Sequence, residues 1–191
     1  MPPTLAANLW PAASSNRAYQ ILLAVLGSAL LFASAQVQIP TQPVPFTLQS
    51  MVLLLIGAVY GPWLGAATAL LYLAEGFAGL PVFQEFKNGF QVYYTAGYLV
   101  AFPIAAFVAG WFTGGNRMQA FLPALLNSLL VFLVADAIVF GLGFAWLAYL
   151  IGANKAWLGG VAPFLFWDAL KVGLAALIVT GAWRGFSGRA A

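Results

Sequence analysis

The sequence of 191 residues is 63% apolar and 16% aromatic, and only 6% of it is charged, with seven Lys or Arg against four Asp or Glu. Soluble domains average roughly 25% charged residues, and no Asp, Glu, Lys or Arg occurs from Ala18 to Ala74, so soluble and disordered chains are both excluded. With no Cys and no His, the chain by itself cannot build thiolate or imidazole metal sites, or Cys/His and Ser/His catalysis.

Crossing a bilayer takes ~20 apolar residues in a helix. Ala18 to Ala35 forms a first span, preceded by Arg17 and an N-terminal tail. Its end, Ala33-Ser34-Ala35, resembles a secretory cleavage site; cleavage would leave five spans and spoil the charge arrangement, so the segment is read as a span. Gln36 to Pro45, with Pro40, Pro43 and Pro45, reads as an extended loop, because Pro disfavours helix before it. Leu48 to Tyr60 is a short second span, Gly61-Pro62 a break, and Pro62 suits the first turn of a third helix running to about Ala78. Gly79 to Tyr93 is a mixed loop holding Gln84, Glu85, Lys87 and Asn88. Tyr94 to Phe112 is the fourth span, with a kink expected at Pro103. A polar turn from Thr113 to Met118 leads to a long fifth span, Phe121 to Ile151, whose length implies tilt or extension beyond the membrane. Gly152 to Gly160 reads as a last loop and Val161 to Trp183 as the sixth span, opening with Pro163.

The expected fold is therefore an all-α polytopic membrane protein, six transmembrane helices in a compact bundle spanning 18–183, with tails at 1–17 and 184–191. Six spans put Arg17, Arg117, Arg184 and Arg189 on one face and Lys87 and Lys155 on the other. The excess of positive charge marks the cytoplasmic side, so both termini are expected there. No basic cluster suggests nucleic acid.

Ionisable residues inside spans are functional candidates, because burying charge is expensive. In Phe164-Leu165-Phe166-Trp167-Asp168-Ala169-Leu170-Lys171, Asp168 and Lys171 are three apart and share a helix face. Counted from Pro163, Asp168 lies ~8 Å along the helix, at its outer end. The pair either lines a pocket beside Phe164 and Trp167 or is a self-neutralising i,i+3 pair that fixes packing. Asp136, in the fifth span, is either a protonated carboxyl bonded to a neighbouring helix or a partner of Lys171; Glu75 reads as interfacial. The outer loop with Gln84, Glu85 and Asn88 is either a cover for the pocket or a solvated connection. Ala24-x-x-x-Ser28 and Ala29-x-x-x-Ala33 allow close helix approach, either inside the bundle or as a docking surface for another membrane protein. The four carboxylates, Glu75, Glu85, Asp136 and Asp168, lie far apart in sequence, and no G-x-x-x-x-G-K-[ST] occurs. The chain is not expected to be an enzyme, and nucleotide-derived energy for uphill movement must come from a partner.

Several stretches together resemble one family. Ala35-Gln36-Val37-Gln38-Ile39-Pro40 and Pro43-Val44-Pro45-Phe46-Thr47-Leu48-Gln49 are similar to the signature of the BioY family, the biotin-specific S components of energy-coupling-factor (ECF) transporters. Gly61-Pro62-Trp63-Leu64-Gly65, Gly79-Leu80-Pro81-Val82-Phe83, Gly97-Tyr98-Leu99 and Pro163-Phe164 with Asp168-x-x-Lys171 follow in family order, from about residue 18 to 183.

The resemblance implies a six-helix S-component fold in the plasma (cell inner) membrane that captures biotin from outside. It implies partners as well: a transmembrane coupling protein and two ATPase subunits, docked on the face carrying Ala29 and Ala33. Biotin is the transported ligand, and no cofactor or metal is expected. By resemblance the biotin site includes Asp168 and Lys171, with Asp168 accepting ureido N–H bonds and Lys171 pairing with the tail carboxylate. Asn88 is the nearest candidate for a loop Asn of the family, and Tyr98, Phe164 and Trp167 are candidate apolar walls. Where relatives carry a Gly-rich stretch and Gly-Pro-Thr-Gly-Gly-Tyr, this chain has Gln84-Glu85-Phe86-Lys87-Asn88-Gly89 and Tyr93-Tyr94-Thr95-Ala96-Gly97-Tyr98; the fourth-helix Arg of some relatives has no counterpart. The rival expectations are an S component for another vitamin, which the same Asp and Lys would also suit, and a non-transport membrane assembly protein.

Overall fold

A computed structural model describes residues 4–6, 16–114 and 120–187. Arg117 and Arg189, two of the four arginines assigned to one face, lie outside the described residues. Seven α-helices and one small hairpin follow in order among the described residues.

Helix α1 (Arg17–Gln36) starts at Asn16, whose side-chain oxygen accepts from the Ala18 N–H at 2.9 Å. One face buries Gly27, Ser28, Leu31, Ser34 and Ala35, while Leu22, Leu26 and Leu30 stay exposed on the other. The proline-rich stretch expected to be an extended loop contains a two-stranded antiparallel hairpin, β1 (Gln38–Ile39) and β2 (Phe46–Thr47), with Gln38 opposite Thr47. Two-residue strands are too short to leave an alternation of polar and apolar side chains.

Helices α2 (Gln49–Tyr60) and α3 (Pro62–Phe77) are joined at Gly61, and Pro62 occupies the first turn of α3. The connection after α3 contains short 3-10 turns at Gln84–Phe86 and Gly89–Thr95 and leads into α4 (Ala96–Thr113), with Pro103 inside it. Helix α5 (Phe121–Ile151) has 31 residues and so runs about 46 Å at 1.5 Å per residue. It stops at Gly152, whose φ of +87° suits a residue without Cβ.

Two expectations fail just beyond that stop. The segment read as a final loop is helix α6 (Ala153–Gly160). Its Ala156 and Gly160 are buried, and a Cβ on Gly160 would stand 2.5 Å from the Tyr98 hydroxyl and 2.6 Å from a Leu147 methyl. Packing on α5 makes it helical where local polarity suggested otherwise. The last helix, α7 (Leu165–Ser187), begins later than the sixth span was drawn. Val161 to Phe164 form a turn instead, with Pro163 before the helix rather than in its first turn. Asp168 consequently sits in the first turn of α7, where the helix dipole favours a carboxylate.

Among the described residues, four helical stretches are long and apolar enough to cross a membrane: Arg17–Gln36, Gln91–Thr113, Phe121–Ile151 and Leu165–Gly185. Helices α2 and α3, with 12 and 16 residues, are shorter than that measure requires. Around the bundle, α1 packs on α2 and α3, α4 packs on α2, α3 and α5, and α7 closes the ring between α5 and α2. The core includes Leu53, Tyr72, Phe132 and Trp183, all essentially sealed from solvent.

The contact between α2 and α4 is made backbone to backbone. A Cβ on Gly57 would lie 2.4 Å from the Ala106 carbonyl oxygen, and one on Gly110 would lie 2.5 Å from the Gly57 carbonyl oxygen. Small residues supply the van der Waals contact that the hydrophobic effect does not provide between helices in lipid. Gly57→Val is expected to cost about 1–3 kcal/mol by overpacking and to lower the thermal midpoint of the detergent-solubilised protein. Gly181→Ala, where the added Cβ meets nothing within 4 Å, is the control and should leave it unchanged; equal midpoints for all three proteins would reject the tight α2–α4 contact.

Candidate functional site

Helices α2 and α7 start, and α5 ends, at the end of the bundle that carries the β1–β2 hairpin. Between them lies a cavity of about 80 Å³, lined by Phe46, Ser50, Tyr98, Asp136, Phe164, Asp168 and Lys171 together with further apolar and amide side chains. Its centre is the ion pair of Lys171 Nζ with Asp168 Oδ1 at 2.5 Å. The two residues are only 9% and 4% exposed, so each charge has exchanged water for protein partners. Translocation scales put such a charge at about 2.5–3.5 kcal/mol in a helix centre, and an unpaired one would be neutralised or drive unfolding.

The pairing is completed from outside α7. Lys171 Nζ also donates to Ser50 Oγ at 2.7 Å and to the Thr47 carbonyl oxygen at 3.0 Å, and Ser50 Oγ donates to Asp168 Oδ1 at 3.0 Å. The three N–H bonds of the ammonium thus meet three acceptors. The ring of Phe46 lies 4.4 Å from Lys171 Nζ and stacks on Phe164, with centroids 6.0 Å apart and planes 3° from parallel, a cation–π contact backed by a second ring. Hairpin, α2 start and α7 start are therefore tied at one point.

Of the six residues expected at the biotin site, four meet at this cavity, Asp168, Lys171, Tyr98 and Phe164, and Asp136 and Gln84, also singled out in the sequence, join its lining. Tyr98 fills the space left by Gly143, and its hydroxyl donates to the Gly160 carbonyl at 2.8 Å. Trp167 does not line the cavity; it is 52% exposed and packs edge-on against Phe46, 6.3 Å between centroids. Asn88 lies outside the lining too. Its N–H donates to Gln91 Oε1 at 3.1 Å and its Nδ2 to the Gly79 carbonyl at 2.8 Å, which holds the outer loop together. In the same loop Glu85 pairs with Lys87, and Gln84 turns inward to donate to Thr95 Oγ1 at 3.0 Å. Glu75 accepts from Ser28, so that small residue of α1 faces the bundle, whereas Ala29 and Ala33 are exposed.

Phe46, Thr47 and Ser50 were not among the residues singled out. Phe46 and Thr47 lie within the Pro43–Gln49 signature and Ser50 directly follows it; the signature marks the segment without stating that the Thr47 carbonyl and the Ser50 hydroxyl face a lysine of the last helix. Asp136 lines the same cavity.

Comparison with known proteins shows the family and the fold. The family model for the BioY family matches residues 7–188. A protein of Pyrococcus horikoshii named probable biotin transporter BioY is 38% identical over 164 residues, covering 85% of this chain and 94% of that one. The protein of Thermotoga maritima named biotin transporter BioY is 35% identical over 162 residues, covering 83% and 92%. The solved structure of the S-component for biotin from an ECF-type ABC transporter has a TM-score of 0.72 to this chain at 23% identity, over 86% of this chain and 90% of that one, and so shares its fold. A helical bundle that carries the signature stretches in family order and matches the family model over residues 7–188 belongs to the BioY family.

Proposed function

We propose that the chain is the substrate-capturing subunit of a biotin uptake system in the plasma membrane. One observation carries the reading: a buried Asp168–Lys171 pair, with every Lys171 donor met, in an aromatic-walled cavity of a BioY-family bundle. Biotin's ureido ring presents N–H donors beside a carbonyl acceptor, and Asp168 and Lys171 present an acceptor beside a donor. Their separation of 2.5 Å favours a single polar end of the ligand over two ends separated by the whole side chain. Lys171 then exchanges one of its bonds to Ser50 or Thr47 for the ureido carbonyl, and the tail carboxylate points toward the outer loops. The rings of Phe164 and Tyr98 cover the apolar part of the ring system. Trp167 supports Phe46 from outside, and Asn88 braces the loop above.

The orientation in the membrane follows from the same end of the bundle. Lys87 and Lys155 belong to segments whose neighbours Gln84 and Gly160 line the cavity, whereas Arg17 and Arg184 mark the opposite helix ends. By sequence Arg117, between α4 and α5, and Arg189, after α7, join Arg17 and Arg184, and with this four-to-two excess the positive-inside rule supports termini in the cytoplasm and a cavity open to the outside, with α2 and α3 completing six membrane-embedded helices. Energy for inward release comes from a coupling protein and two ATPase subunits, and the exposed Ala29 and Ala33 of α1 offer a flat face for that contact.

Purified protein in detergent should bind labelled biotin saturably and in competition with unlabelled biotin; no saturable binding would reject the function. Lys171→Ala should weaken biotin and biotin amide by the same factor, at least about tenfold (1.4 kcal/mol), as equilibrium titration would show. A loss confined to biotin would place Lys171 on the tail carboxylate instead. Bulky replacements, Ala29→Trp with Ala33→Trp, should abolish copurification with a coexpressed coupling module while leaving biotin affinity intact; retained copurification would exclude this face.

A further inference from the structure

Among the described residues, each polar side chain lining the cavity makes at least one hydrogen bond within the protein, with one exception. Gln49 Nε2 donates to the Tyr72 hydroxyl at 2.8 Å, Gln84 to Thr95, and Tyr98 to the Gly160 carbonyl. Ser50 is committed to Asp168 and Lys171, and the three donors of Lys171 are all in use. Asp136 remains. It is 7% exposed, lines the same cavity from α5, and its Oδ1 has no hydrogen-bond partner among the described residues.

Nothing local supplies the missing donor. Phe132, Val139 and Phe140, one turn away on α5, are apolar. The cation of the site has no free N–H for it. A buried carboxyl oxygen without a donor is costly in any fold, and the helix would be better served here by an apolar residue unless the oxygen acts on something that enters the cavity.

We propose that Asp136 is a ligand-contacting, specificity-determining residue, its Oδ1 accepting an N–H from the polar head of the transported molecule. The inference rests on the biotin reading and extends it. A cyclic urea has two N–H donors, and the cavity offers two carboxyls from two different helices, Asp168 on α7 and Asp136 on α5. One accepts each donor. The same pair of acidic groups, set against a single ammonium, discriminates against a ligand that would bring a further carboxylate to this depth.

The test uses the full-length protein in detergent and measures equilibrium dissociation constants for biotin and for its two singly N-methylated ureido isomers. Asp136→Ala should weaken biotin by at least about tenfold. One methylated isomer should bind Asp136→Ala and the unsubstituted protein equally, because the donor in question is already blocked. Asp136→Asn, which keeps an acceptor oxygen of the same shape, should hold biotin within a few-fold of the unsubstituted protein. Thermal midpoints without ligand identify any variant that fails to fold, and Asp136→Asn then carries the comparison with its own methylated-isomer titration. If the unsubstituted protein binds biotin and Asp136→Ala binds it as well, the inference is overturned and the biotin reading stands. Equal losses for biotin and both methylated isomers overturn it too, since a packing role would give that pattern. Absence of biotin binding by the unsubstituted protein overturns both.

Discussion

The structure is organised around one ammonium group held away from water. Lys171 is accommodated inside a bundle of apolar helices because Asp168, Ser50 and the Thr47 carbonyl meet all of its donors and Phe46 presents a ring to it. Those partners come from three elements: α7, the start of α2 and strand β2. Removing one partner of a buried pair costs about 3–5 kcal/mol, because the other charge is left exposed to a low dielectric. The hairpin, too short to be stable by itself, is thereby fixed over the mouth of the cavity.

The rest of the bundle serves that arrangement by being rigid where it is apolar. Gly57 and Gly110 bring α2 and α4 into backbone contact, which fixes where Ser50 stands relative to Tyr98. Gly143 and Gly160 receive the ring and hydroxyl of Tyr98, which holds the aromatic wall against α5 and α6. On α1 the two faces divide the work. Ser28 turns inward to Glu75, whereas Ala29, Ala33 and the exposed leucines are left toward lipid or a partner.

The long helices and their order were legible in the sequence because a bilayer imposes a simple rule: about 20 apolar residues, uninterrupted by charge. Charge was legible for the same reason. With so few ionisable residues, Asp168 and Lys171 stood out, and their i,i+3 spacing foretold the pair. The hairpin and α6 were not legible, since two-residue strands carry no period and an eight-residue helix is made by burial of Ala156 and Gly160 rather than by propensity. The start of α7 was misplaced by one turn because Pro163 suits the residue before a helix as well as its first turn. Ser50 and Thr47 were not named as site residues because their role depends on a lysine more than a hundred residues away; Asn88 was named through the family resemblance and Trp167 through its place beside Asp168, and their side chains brace the loop and the back of Phe46.

In the proposed reading a scarcity of charge therefore has two meanings: orientation at the ends of the helices, and recognition in the cavity where Asp168, Lys171 and Asp136 are buried. The most direct measurement is a structure of the protein with biotin bound. The account predicts the ureido ring in the cavity between α2, α4, α5 and α7, within hydrogen-bond distance of Asp168 and Lys171, with the tail directed toward the outer loop. Biotin bound elsewhere, or its tail carboxylate on Lys171 with the ureido ring away from Asp168, would contradict it.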